Sequence, residues 1–344
     1  MGARMRVTTI LVTACGAPGA ARLLRALRDN GERPVRLVGV DMSERAIGRH
    51  ICDEFHLVPP GADPSFPDAL LDLVEQEGVD VVLPESSHDL HHLALRRDEF
   101  PVPVMVCGPD AERRSNDKAE TFEALHRIGV GAPEFRRVTG AAGVEAAARE
   151  LGYPDNPVCF KPAFSSGSRG FRVLDPSVDR THQLLYERPG ALAMRLEEAV
   201  ELLPEDGVDL LVMELATGGE RTIDGIGNGR EIVLGHPKTR EAMRAGLAMY
   251  FVTLDDPELM RLSNLIVAEL GIEHFFNIQL VGEHVIEINP RISTIVYQDD
   301  LNIPYLGVKR AIGEISDDEL RALASRIRPG RTALRYFDQL EWDA

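Results

Sequence analysis

FFNIQLVGEHVIEINPRIS, Phe275 to Ser293, decides how the rest of this chain is read. Apolar and polar residues alternate on either side of Gly282, the period of a two-stranded hairpin. If Gly282, Glu283 and His284 form a three-residue loop, Val281 pairs with Val285 and Gln279 stands opposite Glu287, with Cβ atoms about 5 Å apart. Asn289 shares that face, while Ile278, Leu280, Ile286 and Ile288 point to the other. One carboxylate and two amide oxygens suit a hard cation such as Mg²⁺, which takes few protein ligands and completes its octahedron with phosphate oxygens and water. Mn²⁺ accepts the same donors. Arg291, past the break at Pro290, adds a planar cation fitted to phosphate or carboxylate. The competing reading is a solvated strand, but such strands favour Thr and Lys over Gln, Glu and Asn in register. A two-residue loop would put Gln279 and Glu287 on opposite faces.

The rest of the chain supplies a setting for that hairpin. Its 344 residues exceed what one growing core accommodates, so two or three packed units are expected. A net charge of -17 argues against binding nucleic acid, which needs basic patches. No apolar stretch approaches a membrane span, and the start lacks a signal-peptide pattern, so a cytoplasmic location is expected. Cys15, Cys52, Cys107 and Cys159 are widely spaced within apolar segments, which points to buried thiols rather than disulfides or zinc.

Short β-branched runs alternate with amphipathic patterns over residues 6 to 108, the signature of a doubly wound α/β unit with a parallel sheet. A small α+β lobe is expected over 111–190, and consecutive strands over 191–344 indicate an antiparallel sheet ending in a helix and one strand. The expected division is thus 1–110, 111–190 and 191–344.

Further polar groups stand at the ends of apolar strands. In VCFKPAFSSGSRGF, Lys161 ends a strand and a glycine- and serine-rich loop follows, the makings of a phosphate cradle. Lys118 opens a helix in SNDKAETF, and Glu214 ends the run LLVMEL, where a carboxylate and exposed backbone can read an adenine edge. Glu85 and Asp89 follow the strand VVLP, at the carboxyl end of a parallel sheet where open α/β folds bind ligands. His88, His91 and His92 share that helix; without a matching carboxylate or Cys, a solvated or pocket-lining face outweighs metal binding. The turn CGAPGAARLLRAL, Cys15 to Leu27, invites a dinucleotide reading. Yet Pro18 stands where the fingerprint needs its second glycine, and only Asp41 is spaced like a ribose-binding acid.

Together SNDKAET, CFKPAFSSGSRGF, MELATGGERTIDG and QLVGEHVIEINPR, in that order behind VLPESSHDL, resemble the ATP-grasp superfamily. The resemblance is nearest to carboxylate–amine ligases like the carbamoyl-phosphate synthase large subunit. It implies a Rossmann-like pre-ATP-grasp domain followed by a two-lobed ATP-grasp fold. It also implies that Lys118 and Lys161 bind ATP phosphates under a lid of Ser166, Gly167, Ser168 and Gly170. Glu214, with the Leu215 and Ala216 backbone, would hold adenine; Gln279, Glu287 and Asn289 would hold Mg²⁺. Arg291 and Lys161 are the implied catalytic pair, with Lys238, Arg240, Arg291 and Glu85 facing the substrate. The implied reaction phosphorylates a carboxylate and joins it to an amine, both small molecules and expected to be amino acids; a homodimer is compatible with it. A nicotinamide-dependent oxidoreductase and a catalytically silent nucleotide-binding regulator are the alternatives.

Overall fold

The computed structural model describes residues 7–163, 170–187, 190, 192–244, 247–293, 298, 300–336 and 338–342. In chain order the first strands are β1 (Thr8–Val12), β2 (Val35–Asp41), β3 (Glu54–Leu57) and β4 (Val81–Leu83). They form a parallel sheet of order β3-β2-β1-β4. Every residue of β1 is buried, as expected of a strand covered on both faces. Leu23, Leu24 and Leu27 of helix Ala20–Arg28 pack in one core cluster with Ile10, Val12, Tyr305 and Val308. Leu70, Val74, Leu90 and Leu93 join a second with Leu11 and Val82.

The next strands are β5 (Phe135–Thr139), β6 (Val158–Pro162), β7 (Arg172–Leu174), β8 (Ala193–Met194) and β9 (Asp209–Glu214). Their sheet order is β5-β9-β6-β7-β8, so the last strand in sequence inserts beside the first. Val144, Ala147 and Ala148 of helix Gly140–Glu150 cover Val158, Phe160, Leu210 and Val212.

Then come β10 (Glu220–Asn228), β11 (Ile232–Thr239), β12 (Glu241–Arg244), β13 (Leu247–Val252), β14 (Glu273–Val281), β15 (His284–Asn289) and β16 (Thr332–Leu334). They build one sheet of order β11-β10-β14-β15 and another of order β12-β13-β16. Helix Pro257–Leu270 begins where Asp256 accepts from the Leu259 N–H and ends at Gly271, whose φ of 69° is a left-handed stop.

Two compact units result. The first takes residues 1–115, 220–279 and 288–344; the second takes 116–219 and 280–287. This interleaving departs from the linear division at 110 and 190. Strand β9 pairs with both β5 and β6, which returns the chain to the smaller unit after residue 190. The apolar run VPVMVCG, residues 102–108, contributes only a parallel bridge between Val82 and Val104, because Pro101 and Pro103 lack the N–H a ladder needs. Among the described residues no helix is long and apolar enough to cross a membrane.

Candidate functional site

In the smaller unit, Asp117 caps helix Lys118–Arg127 by accepting from the Ala119 and Glu120 N–H groups. Its other carboxylate oxygen holds Arg137 at 3.0 Å. That cap fixes Lys118, which is buried with its Nζ 3.4 Å from Glu287 Oε1. Lys161, half-buried at the end of β6, is close enough to feel both. Burial, then the Lys118 charge, pull its ammonium down to about 7, against the opposing pull of Glu287. Two ammonium groups about one carboxylate leave net positive charge, the condition for holding a polyphosphate.

Gly170 closes the loop after Lys161 with φ 72°. A Cβ there would lie 2.6 Å from Pro162 Cδ, so both backbone conformation and space demand glycine. Ser166, Gly167 and Ser168 lie outside the described residues. Glu214 is half-buried at the end of β9, with Oε2 3.4 Å from the Glu134 backbone N–H. The Leu215 N–H donates to the Pro157 carbonyl, so of the two expected backbone partners for adenine, this one is already engaged as a donor.

In the larger unit, Gln279 Nε2 donates to Asn277 Oδ1 at 2.7 Å and Asn289 Nδ2 donates to the same oxygen at 3.4 Å. Asn277, Gln279 and Asn289 therefore share a face. Glu287, two residues before Asn289 on β15, belongs to that face by alternation. His284 already lies in β15, which leaves only Gly282, at φ 56°, and Glu283 as turn rather than the expected three residues. Loop length alone would part Gln279 from Glu287; the bond from Asn289 to Asn277 is what puts Asn289, and with it Glu287, on the Gln279 face.

Arg291 Nε donates to Ser87 Oγ at 2.9 Å, and Ser87 Oγ donates to Asn289 Oδ1 at 3.4 Å. Glu85 is buried, and its Oε2 has no hydrogen-bond partner among the described residues. Burial holds its carboxyl well above the usual range, with Arg291 opposing. Beside it Asp89 Oδ2 accepts from Thr13 Oγ1 at 2.5 Å, and burial pushes Asp89 up to about 6. Since the folded state holds this proton more tightly, the associated stability is full below about 3.9 and is lost as pH rises through the folded value. Asp89→Asn, beside Glu85, Asp41 and Arg291, is expected to raise the melting temperature near pH 8, from relief of about 3 kcal/mol at most. Melting curves should show the gain shrinking towards pH 5; a pH-independent change would contradict the assignment.

Lys238, expected against substrate, is engaged within the protein. It is buried, with Nζ 2.8 Å from Asp224 Oδ2 and 4.9 Å from the Phe251 ring centroid, because it sits on the inner face of β11. Burial lowers its ammonium, with Asp224 resisting. Arg240, half-buried, has Nε 3.9 Å from Glu220. His91 lies 3.4 Å from Glu112 and His92 contacts the Ala62 carbonyl, and no cluster of three His, Cys, Asp or Glu among the described residues could hold a metal. At the opening turn, the Gly16 N–H donates to Asp41 Oδ2 at 2.8 Å and the Ser43 N–H to Oδ1. Asp41 thus closes its own turn instead of presenting both oxygens to a ribose. Sequence reasoning passed over Asn277 and Asp224; the place of Asn277 two residues before Gln279 was the available signal.

The comparisons with known proteins converge on this architecture. Residues 10–106 match the family described as PylC-like, N-terminal domain, and residues 206–330 match ATP-grasp in the biosynthetic pathway with Ter operon. Residues 206–330 thus carry an ATP-grasp domain, behind a PylC-like N-terminal domain. It is 26% identical over 253 residues to the carbamoyl phosphate synthase large chain of Vibrio cholerae, covering 70% of this chain but 21% of that one. The chain thus spans about a fifth of that relative's length. Its fold is similar to N5-carboxyaminoimidazole synthetase from Staphylococcus aureus complexed with ADP, at TM-score 0.66 and 16% identity over 90% of this chain and 78% of that one. It is also similar to L-amino acid ligase from Bacillus licheniformis, at TM-score 0.64 and 15% identity over 95% and 79%. At these identities the likeness concerns the fold: a Rossmann-like α/β domain followed by an ATP-grasp fold.

Proposed function

We propose that this chain is an ATP-dependent ligase that joins a carboxylate to an amine with release of ADP and phosphate. The observation that carries the reading is the grouping of Lys118, Lys161 and Glu287, two ammonium groups and a carboxylate, in one compact unit. Lys118 and Lys161 bind the ATP phosphates, Gly170 closes the loop above them, and Glu214 accepts from the adenine amino group. The hard oxygen donors of Gln279, Glu287 and Asn289 fit Mg²⁺, or Mn²⁺ in its place. The bound ion supplies charge neutralisation for phosphoryl transfer.

An oxygen of the substrate carboxylate attacks the γ-phosphorus, the bond to the bridging β–γ oxygen breaks, and ADP leaves. The amine attacks the acyl carbon, the C–N bond forms, phosphate departs with the acyl C–O bond pair, and the amine loses a proton. No protein nucleophile is needed; positioning and charge supply the catalysis. Arg291 and Lys161 stabilise the transferring phosphoryl group. The acid and the amine are amino acids. Arg291 offers the positive charge that a carboxylate requires, Asp89 with the Glu85 carboxyl beside it offers acceptors for an ammonium group, and Arg240 is the further contact to the acid.

Thermal melting with Mg-ATP should raise the transition by several degrees, the expected effect of a ligand at about a hundred times its Kd. NAD(H) should not; a shift with NAD(H) instead would favour the oxidoreductase. ADP release over pairwise pools of amino acids and small acids then separates a ligase from a silent regulator: nucleotide binding without release in any pool refutes the reading.

A further inference from the structure

The polar side chains beneath the hairpin face form a series in which each amide has one permitted direction. Asp224 on β10 is fully buried, and its Oδ2 receives Lys238 Nζ at 2.8 Å. Its Oδ1 lies 2.6 Å from the side-chain nitrogen of Asn277. A carboxylate that holds an ammonium has no proton to give, so Asn277 must turn its NH₂ toward Asp224. The same NH₂ donates to Thr222 Oγ1 at 2.7 Å, whose own proton goes to the Ile278 carbonyl at 2.8 Å.

The Asn277 oxygen therefore faces the opposite way, towards the amides of Gln279 and Asn289 at 2.7 and 3.4 Å. That oxygen only accepts. Gln279 and Asn289 must each offer it NH₂ and turn their own oxygens away from Asn277.

We infer that Asp224 and Asn277 are positioning residues that fix Gln279 and Asn289 with their oxygens presented as cation ligands. The inference rests on the proposed metal face and accounts for how a face with a single carboxylate beside two amides can hold a divalent ion. A side-chain amide is ambiguous, donor at one end and acceptor at the other, and with its NH₂ forward it repels a cation. The buried carboxylate removes the ambiguity at both ligands through one intermediary. Ser87 adds a second constraint at Asn289, since its hydroxyl donates to Asn289 Oδ1 while accepting from Arg291.

The test is Mn²⁺ affinity, read as the free-ion paramagnetic resonance signal with a non-hydrolysable ATP analogue present, and folding checked by circular dichroism. Asn277→Leu, similar in volume but unable to direct either amide, should weaken Mn²⁺ binding roughly 10- to 100-fold. Gln279→Glu alone should also weaken it, although it adds a negative charge, because a carboxylate oxygen then faces the Asn277 oxygen. Combining the two removes that clash and should bind Mn²⁺ more tightly than either single variant.

Wild-type affinity in Asn277→Leu, or tighter binding in Gln279→Glu alone, overturns the inference. If Asn277→Leu does not fold, the Gln279→Glu result decides by itself. If the wild type binds no Mn²⁺, or Glu287→Gln binds it as well as wild type, the metal face itself is wrong and the inference falls with it. Binding that depends on Glu287 but not on Asn277 removes the inference alone.

Discussion

Replacing Glu287 by Gln is expected to lower kcat roughly 10²- to 10³-fold, the scale of losing one preorganised charge at a phosphoryl-transfer site. Glu287 is the carboxylate beside Asn289 on β15, whereas Glu273, farther back on β14, is engaged by Arg97 at 2.8 Å. Gln is isosteric and keeps an oxygen for Lys118, now 3.4 Å from Glu287 Oε1. The fold should therefore survive, with a melting shift of no more than about 3 °C. What disappears is the negative charge that attracts a divalent ion and offsets two neighbouring lysines. ADP release measured across Mg²⁺ concentrations would show whether the loss belongs to the ion. Saturating Mg²⁺ should recover little of it, and a variant with near-normal turnover would remove Glu287 from the metal face.

The sequence made the elements near this site legible because strong local signals mark them. Helix Pro257–Leu270 lies between Asp256, which caps it, and Gly271, which stops it, and β6 covers Val158–Pro162 as its apolar run indicates. The parallel first sheet follows from apolar runs alternating with helices. Pairing between distant strands was less legible: nothing local says that β9 inserts between β5 and β6, and that insertion is what interleaves the two units. The same limit applies within the site. Lys161, Glu287, Gln279 and Asn289 stand at strand positions where a polar residue interrupts an apolar pattern, whereas Lys118 lies in the polar run SNDKAET and only the resemblance marks it. Asp224 and Lys238 interrupt their strands similarly, but only the antiparallel pairing of β10 with β11 turns both inward to pair with each other. The direction of the Gln279 amide depends on two further strands and cannot be read from periodicity.

Arg291→Lys is expected to lower kcat by roughly 10²-fold with little change in the KM for ATP, because charge alone is not what the arginine contributes. Its Nε is bound to Ser87 and one Nη to the Ile292 carbonyl, both at 2.9 Å, and two bonds from one rigid group fix the guanidinium plane. A phosphoryl group in transfer spreads its charge over three oxygens, and a planar fork of known orientation meets it without reorganising. Lysine keeps the charge but must choose between Ser87, Ile292 and the reacting group. Hydroxylamine trapping separates the steps: if Arg291 stabilises acyl phosphate formation, hydroxamate yield and ADP release fall together. If ADP release continues while hydroxamate is lost, Arg291 protects the intermediate rather than forming it. If only the KM for ATP rises, it belongs to nucleotide binding. Ser87→Ala should lower kcat less than Arg291→Lys, since it frees the guanidinium to swing without removing it, and an effect equal to that of Arg291→Lys would assign the loss to orientation itself.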